Sequence, residues 1–444
     1  VRRLSEDGKG ILGFGTGLGK TTTALALEAY NFENGRSKRT AIVVPKAVYE
    51  NWYHEHRNFY SADARASMLF VGLNVVAGSD GAPMQVPVLN DQGQPQLDNN
   101  GQPLMRDALQ LADSATIKAR MNMIPQSNYR LVIMTKEQYA AIPMRPETVR
   151  DHAYDVLFAQ ADAGRVKIHA DTYREQSKKN RILTEHSDTG SVKEHDFPFY
   201  EDMHFDSVIV DEGHNYRNSY SAGREASSLA YLPVPAVSQS ARDMAVKNAY
   251  LMSKNNGRGP VLLTATPVVN SPIDAFNMLS HCVSMRDWQR MGIHTPDDFV
   301  RVFGKTDTCL VQKLSGEIES KPGLVGFQNL DGLRGIFHRW TTLKTSADVA
   351  AQVKIPELDE KVVEAPMSVD QAAHYEELRA RAERLSADPE GVELDENGNE
   401  LPKDTIFGII RDMDRVCTDM DLYHRQITFR FPAAAEEKVQ ELVN

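Results

Sequence analysis

Cysteine is nearly missing from this 444-residue chain. The three present, Cys282, Cys309 and Cys417, are far apart and odd in number. A framework of paired disulfides is excluded, no zinc-ligand spacing is present, and a reducing cytoplasm is the expected setting. No apolar run approaches the roughly 20 residues of a membrane span. Residues 1–9 (VRRLSEDGK) are polar, so neither a membrane contact nor a signal peptide is expected from them. Positive charge is not in excess either. The net charge of −11 argues against a general nucleic-acid coat protein, while leaving room for a local basic groove on an acidic body.

What remains is an ordinary globular composition, 41% hydrophobic and 25% charged, long enough for two or three domains with a substantial core. Short apolar runs bounded by turn residues recur through the first 270 residues, at Gly10–Phe14, Ala41–Pro45, Ser67–Gly72, Leu131–Thr135, Ser207–Asp211 and Pro260–Thr266. They are rich in Val, Ile and Leu and hardly alternate, the pattern of strands buried on both faces of a parallel sheet. Helical stretches lie between them, most clearly Thr21–Tyr30, Ala47–Phe59 and Ala241–Ser253. The alternation predicts a doubly wound α/β domain with its ligand at the carboxyl ends of the strands.

Two stretches interrupt this rhythm. Residues 78–106 are polar and contain near-copies of one unit, Leu89–Pro95 (LNDQGQP) and Leu97–Pro103 (LDNNGQP); a related unit returns at Leu394–Pro402. Asp or Asn followed by Gly favours tight turns, so surface hairpins are expected; the ligand spacing of an EF-hand is missing. The second stretch, about 150–204, is charged and reads as mostly helical. Its basic patch Arg174, Lys178, Lys179 and Arg181 is read first as a solvated helix face. After about 280 the pattern becomes helical through about 340. A short β-like run at Lys361–Ala365 and a helix at Val369–Leu385 follow.

Three segments carry chemistry. Gly13-Phe14-Gly15-Thr16-Gly17-Leu18-Gly19-Lys20-Thr21 lies between a strand and a helix. Glycines let backbone N–H groups turn toward a phosphate chain, and a helix N-terminus opposes its charge. Gly17, Gly19, Lys20 and Thr21 are therefore expected to bind a nucleotide. Lys20 would reach the β- and γ-phosphates and Thr21 would ligate Mg²⁺. The pattern G-x-x-x-x-G-K-[ST] is met except at its first glycine, which falls on Phe14. The second segment, Phe205–His214 (FDSVIVDEGH), is an apolar strand ending in two carboxylates: Asp211 would hold the metal and Glu212 would act as general base. The third, Leu262–Pro267 (LLTATP), is another strand end, whose hydroxyls on Thr264 and Thr266 could bond the second segment.

In that order, GLGKT, DEGH and LTATP resemble motifs I, II and III of superfamily 2 helicase-like ATPases, most closely the Swi/Snf-type double-stranded DNA translocases. Ala41–Trp52 (AIVVPKAVYENW) is similar to the family's motif Ia, and Val132–Tyr139 (VIMTKEQY) sits where motif Ib falls. Arg217-Asn218 and Asn270 stand where the family has a basic residue with Asn, and a further Asn. Pro356–Val363 and Met367–Tyr375 resemble the approach to a second lobe.

The resemblance implies a RecA-like doubly wound parallel sheet with helical insertions, followed by a mostly helical region. Residues 1–280 would form the first lobe, with inserts at about 78–106 and 150–204. A helical protrusion would span 281–345, with a linker and the beginning of the second lobe at 346–444. It also implies ATP and Mg²⁺ as cofactors and duplex DNA as partner. His214, Thr264 and Thr266 would couple hydrolysis to motion, while Lys46 and Lys136 would contact the nucleic-acid backbone. Departures are visible as well. The family's adenine-reading Gln lies upstream of motif I, whereas the first Gln here is Gln85. DEGH and TAT replace the commoner DEAH and TGT. Asn444 falls just past Glu436–Leu442, where a second lobe would begin its main sheet, so the arginine fingers are expected elsewhere in a longer bacterial or phage polypeptide. On its own the 444-residue piece would then hydrolyse ATP slowly. Two other readings stand beside this one: a strand-separating helicase or motor of a restriction or anti-restriction protein, and a catalytically silent scaffold.

Overall fold

A computed structural model describes residues 1–90, 93–98, 100–152, 197–220, 224–232, 238–268, 271–312, 318–349, 365–387 and 405–424. The basic patch at 174–181, Asn270, the segment Pro356–Val363, the turn unit Leu394–Pro402 and Glu436–Leu442 lie outside them. The chain divides into two compact units, Val1–Asp307 with Pro322–Ile355, and Thr308–Lys321 with Pro356–Asn444.

In chain order the strands are β1 Gly10–Phe14, β2 Thr40–Val44, β3 Met68–Phe70, β4 Leu73–Val75, β5 Gln85–Pro87, β6 Met105–Asp107, β7 Leu109–Leu111, β8 Leu131–Thr135, β9 Ser207–Val210, β10 Pro260–Thr264, β11 Gly304–Gln312, β12 Ile318–Phe327 and β13 Thr341–Lys344. Seven of them form one sheet in the order β13-β1-β10-β9-β2-β8-β3, and every pairing within it is parallel. The expected RecA-like α/β sheet is thus present, with strand ends shifted by no more than two residues. Strands β9 and β10, distant in sequence, are inserted between β1 and β2.

Alternate residues of these strands feed two apolar layers, which is why the runs carry no polar face. Leu12, Ile42, Val44, Ile133, Ile209 and Leu263 pack with Leu25 and Leu27 of the helix Lys20–Glu33 and with Trp52 of the helix Tyr49–Phe59. Ile11, Val43, Val132, Val210 and Leu262 pack with Met244 and Leu251 of the helix Gln239–Lys254 and with Phe276 of the helix Pro272–Ser280. The latter two helices start where Ser238 and Ser271 accept a backbone N–H of their first turn, relieving donors that a helix leaves unpaired.

The amino edge of the sheet is closed by side chains. Asp206, just before β9, accepts from Ser37 Oγ and from the backbone N–H groups of Lys38 and Arg39. The Arg39 guanidinium donates to the carbonyls of Tyr129, Met203 and Ser127. The opposite, carboxyl edge is where the chemistry-bearing segments emerge.

The insert at 78–106 is built of hairpins, as its turns suggest. Strands β4 and β7 pair antiparallel, as do β5 and β6, and isolated bridges join Leu89 to Pro95 and Leu97 to Pro103. A third bridge, Ala77 to Pro83, marks another copy of the unit that sequence comparison missed, since only Gly81 and Pro83 keep the pattern. In all three a glycine (Gly81, Gly93, Gly101) has φ between 74° and 78°, a conformation that side-chain-bearing residues adopt at a cost. In one of them Asp98 Oδ1 accepts the N–H groups of Asn100 and Gln102, a local role for a carboxylate in a turn. Among the described residues no group of three or more His, Cys, Asp or Glu side chains is arranged to hold a metal ion.

Two features correct the reading of 281–340 as helical. Helices Met285–Arg290, Pro296–Phe303 and Leu330–Trp340 are present, but β11 and β12 form a two-stranded sheet between them. Their side chains are largely exposed, so no buried face marked them as strands. Strand β13 then joins the edge of the main sheet beside β1, so that sheet draws on residues well beyond 280. Four residues are too few to show a period. In the second unit, the helix Val369–Ala387 packs against the helix Ile406–Thr418 through Leu378, Ile409 and Val416.

Candidate nucleotide-binding site

Because all seven strands run in one direction, the segments that follow them share one edge. Along it come Lys20 after β1, Thr264 at the end of β10, Asp211, Glu212 and His214 after β9, Lys46 after β2 and Lys136 after β8. Register aligns them further: Gly13 lies beside Thr264, and Val210 beside both Val43 and Leu262.

The glycine loop after β1 leads into a 14-residue helix whose N-terminus is Gly19, with no side chain capping it. Gly17 and Gly19 have φ of 77° and 80°, and a Cβ on either would meet nothing within 4 Å. The loop therefore needs glycine for its backbone shape, and the space beside it is open. Uncapped amides at a helix start, with the helix dipole behind them, favour an anion. The Lys20 ammonium lies 3.3 Å from the Phe14 carbonyl, folded back over the loop. It also faces Asp211, whose ionised form it favours. A nucleoside triphosphate with Mg²⁺ fits this set: open amides and Lys20 for phosphate oxygens, Thr21 and Asp211 as oxygen ligands for the metal.

Asp211 is buried, with its backbone N–H bonded to the Val43 carbonyl at 2.8 Å. Burial raises its carboxyl above the usual aspartate range. A hydrogen bond from Trp52 acts against this, neighbouring Glu212 adds to it, and the Glu212 amide and Lys20 oppose it. The Trp52 indole N–H donates to Asp211 Oδ2 at 2.9 Å, and the Glu212 amide to Oδ1 at 3.0 Å. Nothing in the sequence pointed to that tryptophan contact, because the two residues are 159 positions apart.

Glu212 takes up a left-handed conformation, φ 49° and ψ 48°, which costs a residue with a Cβ roughly 1–2 kcal/mol. Strain of this kind is held by surrounding structure and turns the side chain out of the strand direction. The turn that follows is closed against β10: a Cβ on Gly213 would sit 2.8 Å from Leu262 Cβ. His214 Nδ1 lies 3.1 Å from Thr264 Oγ1 and 3.2 Å from Glu212 Oε2. Thr264 Oγ1 in turn accepts the Thr266 amide at 3.0 Å. The carboxylate and the LTATP segment thus meet at one imidazole nitrogen of His214, and Thr266 enters through its backbone.

Behind the same turn, buried side chains hold the chain after DEGH. His281 Nε2 lies 3.0 Å from the Tyr216 carbonyl, and Asn277 donates to the Tyr220 carbonyl at 3.1 Å. Lys46 and Lys136 are both exposed at the starts of their turns. Lys136 Nζ lies 3.9 Å from the Glu137 carboxylate, which is also exposed, a pairing of small worth in water.

Known proteins resemble this chain over part or all of its length. "Defense against restriction protein B" of Escherichia phage P1 is 62% identical over 450 residues, covering all of this chain and 20% of the phage protein. This chain thus spans about one fifth of that relative. A solved structure, the Sulfolobus solfataricus SWI2/SNF2 ATPase core in complex with dsDNA, is 12% identical, covers 86% of this chain and 50% of its own, and has a TM-score of 0.36. The SNF2-related domain matches residues 2–230, the stretch that contains the glycine loop, the DEGH turn and nine of the strands, five of them in the main sheet. On that match, over just half of its length, the chain belongs to the SNF2-related domain family.

Proposed function

We propose that this chain is the nucleotide-binding part of an ATP-driven motor that tracks along duplex DNA without separating its strands, within a longer polypeptide. The observation that carries the reading is the gathering of Lys20, Asp211, Glu212, His214 and Thr264 on one edge of the sheet, with His214 within hydrogen-bonding distance of both Glu212 and Thr264. Lys20 and the loop amides hold the triphosphate, and Thr21 with Asp211 holds Mg²⁺. The metal supplies charge to offset that of the phosphates. Glu212 takes the proton of the attacking water. His214, Thr264 and Thr266 carry the state of that carboxylate to the next strand.

Lys46 and Lys136 follow β2 and β8 on the same edge and would contact phosphates, which position a track without reading its sequence. A second lobe in the same polypeptide would supply an arginine to the transition state, worth on the order of 10³–10⁵ in rate in related phosphoryl transfer. The name of the phage relative favours a role in countering restriction, with the motor working in a bacterial or phage-infected cytoplasm. A silent scaffold is the weaker alternative, since Lys20, Asp211 and Glu212 are all present.

The test is steady-state ATP hydrolysis by the full-length polypeptide, with and without duplex DNA. Stimulation by duplex is expected, with Lys20→Ala weakening nucleotide binding and Glu212→Gln keeping binding while losing turnover. Equal binding and turnover in wild type and Lys20→Ala would overturn the site. Strand displacement by the wild type would replace tracking by unwinding.

A further inference from the structure

Asp211 is gripped from two sides. One oxygen accepts the amide of its own neighbour, Glu212, and the other accepts the indole N–H of Trp52. A carboxylate rotates freely about its last bond unless donors hold it, and two donors on different oxygens fix its plane. The lone pairs left over then point in one set direction. Trp52 is itself immobile: it is 1% exposed, on the helix Tyr49–Phe59. That helix is tied to the sheet near its start, where Tyr49 donates to the Ile133 carbonyl at 2.9 Å and accepts the Gly72 amide at 3.0 Å. Just beyond its end, Tyr60 donates to the Leu25 carbonyl of the glycine-loop helix at 2.8 Å. The helix begins one short turn after Lys46.

Resting on the nucleotide-site reading above, we propose that Trp52 is a positioning residue for Asp211, aiming the carboxylate at the metal and tying the metal site to the helix that follows Lys46. An apolar side chain of the same size would fill the space equally well. Only the N–H reaches the carboxylate, so the donor and not the bulk is the working part. Outer partners of metal ligands act in this way, and their removal typically costs roughly ten- to a hundredfold in metal affinity. The same link gives a displacement of the Lys46 turn a rigid path to the metal ligand, through one helix and one hydrogen bond.

The experiment titrates Mg²⁺ against the full-length polypeptide with a non-hydrolysable fluorescent ATP analogue, in wild type, Trp52→Phe, Asp211→Asn and the double variant. Trp52→Phe is expected to raise the Mg²⁺ concentration at half-saturation about tenfold or more while leaving metal-free nucleotide binding in chelator unchanged. In the Asp211→Asn background the same substitution should add nothing, because the two act as a unit. An unchanged Mg²⁺ midpoint in a folded Trp52→Phe would overturn the proposal, as would an equal effect with and without Asp211. Should Trp52→Phe not fold, Trp52→Tyr takes its place; failure of both to fold would also overturn it, since the indole would then serve the fold alone. Loss of the nucleotide-site reading shows separately, as unaltered nucleotide binding in Lys20→Ala.

Discussion

Replacing Gly213 by alanine turns DEGH into the commoner DEAH, so a consensus argument expects a neutral or stabilising change. The structure expects the reverse. An added Cβ would lie 2.8 Å from Leu262 Cβ, 3.1 Å from its Cδ2 and 3.2 Å from its Cγ, where carbon atoms rest comfortably at about 3.5–4.0 Å. Leu262 cannot retreat: it is fully buried on a central strand, paired on one side with Ile11 and on the other with Val210. The turn must therefore move away by several tenths of an ångström. Overpacking of this kind costs about 1–3 kcal/mol. It also pulls His214 from Thr264, whose 3.1 Å contact has little slack. Thermal unfolding should shift down by a few degrees, and DNA-stimulated ATP hydrolysis should fall by more than the loss of folded protein explains. Adding Leu262→Ala, which removes the Cγ and Cδ2 contacts, should restore part of the turnover. A Gly213→Ala variant with the melting temperature and turnover of the wild type would refute the reasoning.

Other outcomes follow from buried groups. Burial, with help from Arg65 and Arg130, pushes the His56 imidazole down to about 4 from the usual 6.5. Between those values the unfolded chain binds a proton that the fold refuses, so stability should fall as pH drops through 6.5 and stop falling near 4. The full amount is about 3 kcal/mol, of which about 2 kcal/mol is lost between pH 7 and pH 5, and His56→Phe should remove that part of the difference between denaturation curves at those two pH values. Burial pushes the Cys282 thiol up to about 12, so under native conditions a thiol reagent should modify exposed Cys417 and leave Cys282 untouched; rapid native labelling of Cys282 would contradict its buried setting.

The main features of the sheet and the candidate site were legible in the sequence because they are local. Unbroken Val, Ile and Leu runs such as Ala41–Val44 and Leu131–Met134 declare strands covered on both faces, since a half-exposed strand would alternate. A glycine loop opening a helix and an acidic pair closing a strand each mark a candidate site within ten residues. Resemblance of the motifs supplied the family, which the match over residues 2–230 bears out.

What only the tertiary structure decided depends on contacts between distant segments. No periodicity tells that β9 and β10 lie between β1 and β2, yet that order is what brings Asp211 near Lys20 and Thr264 to His214. The exposed hairpin of β11 and β12 carries no buried face to mark it, and β13 is too short to show a pattern, so its place at the sheet edge is set by pairing with β1. The hold of Trp52 on Asp211 and the fit of Gly213 against Leu262 are matters of where packed surfaces meet. A sequence determines such contacts only through the whole fold, because each rests on the position of every element between its two residues.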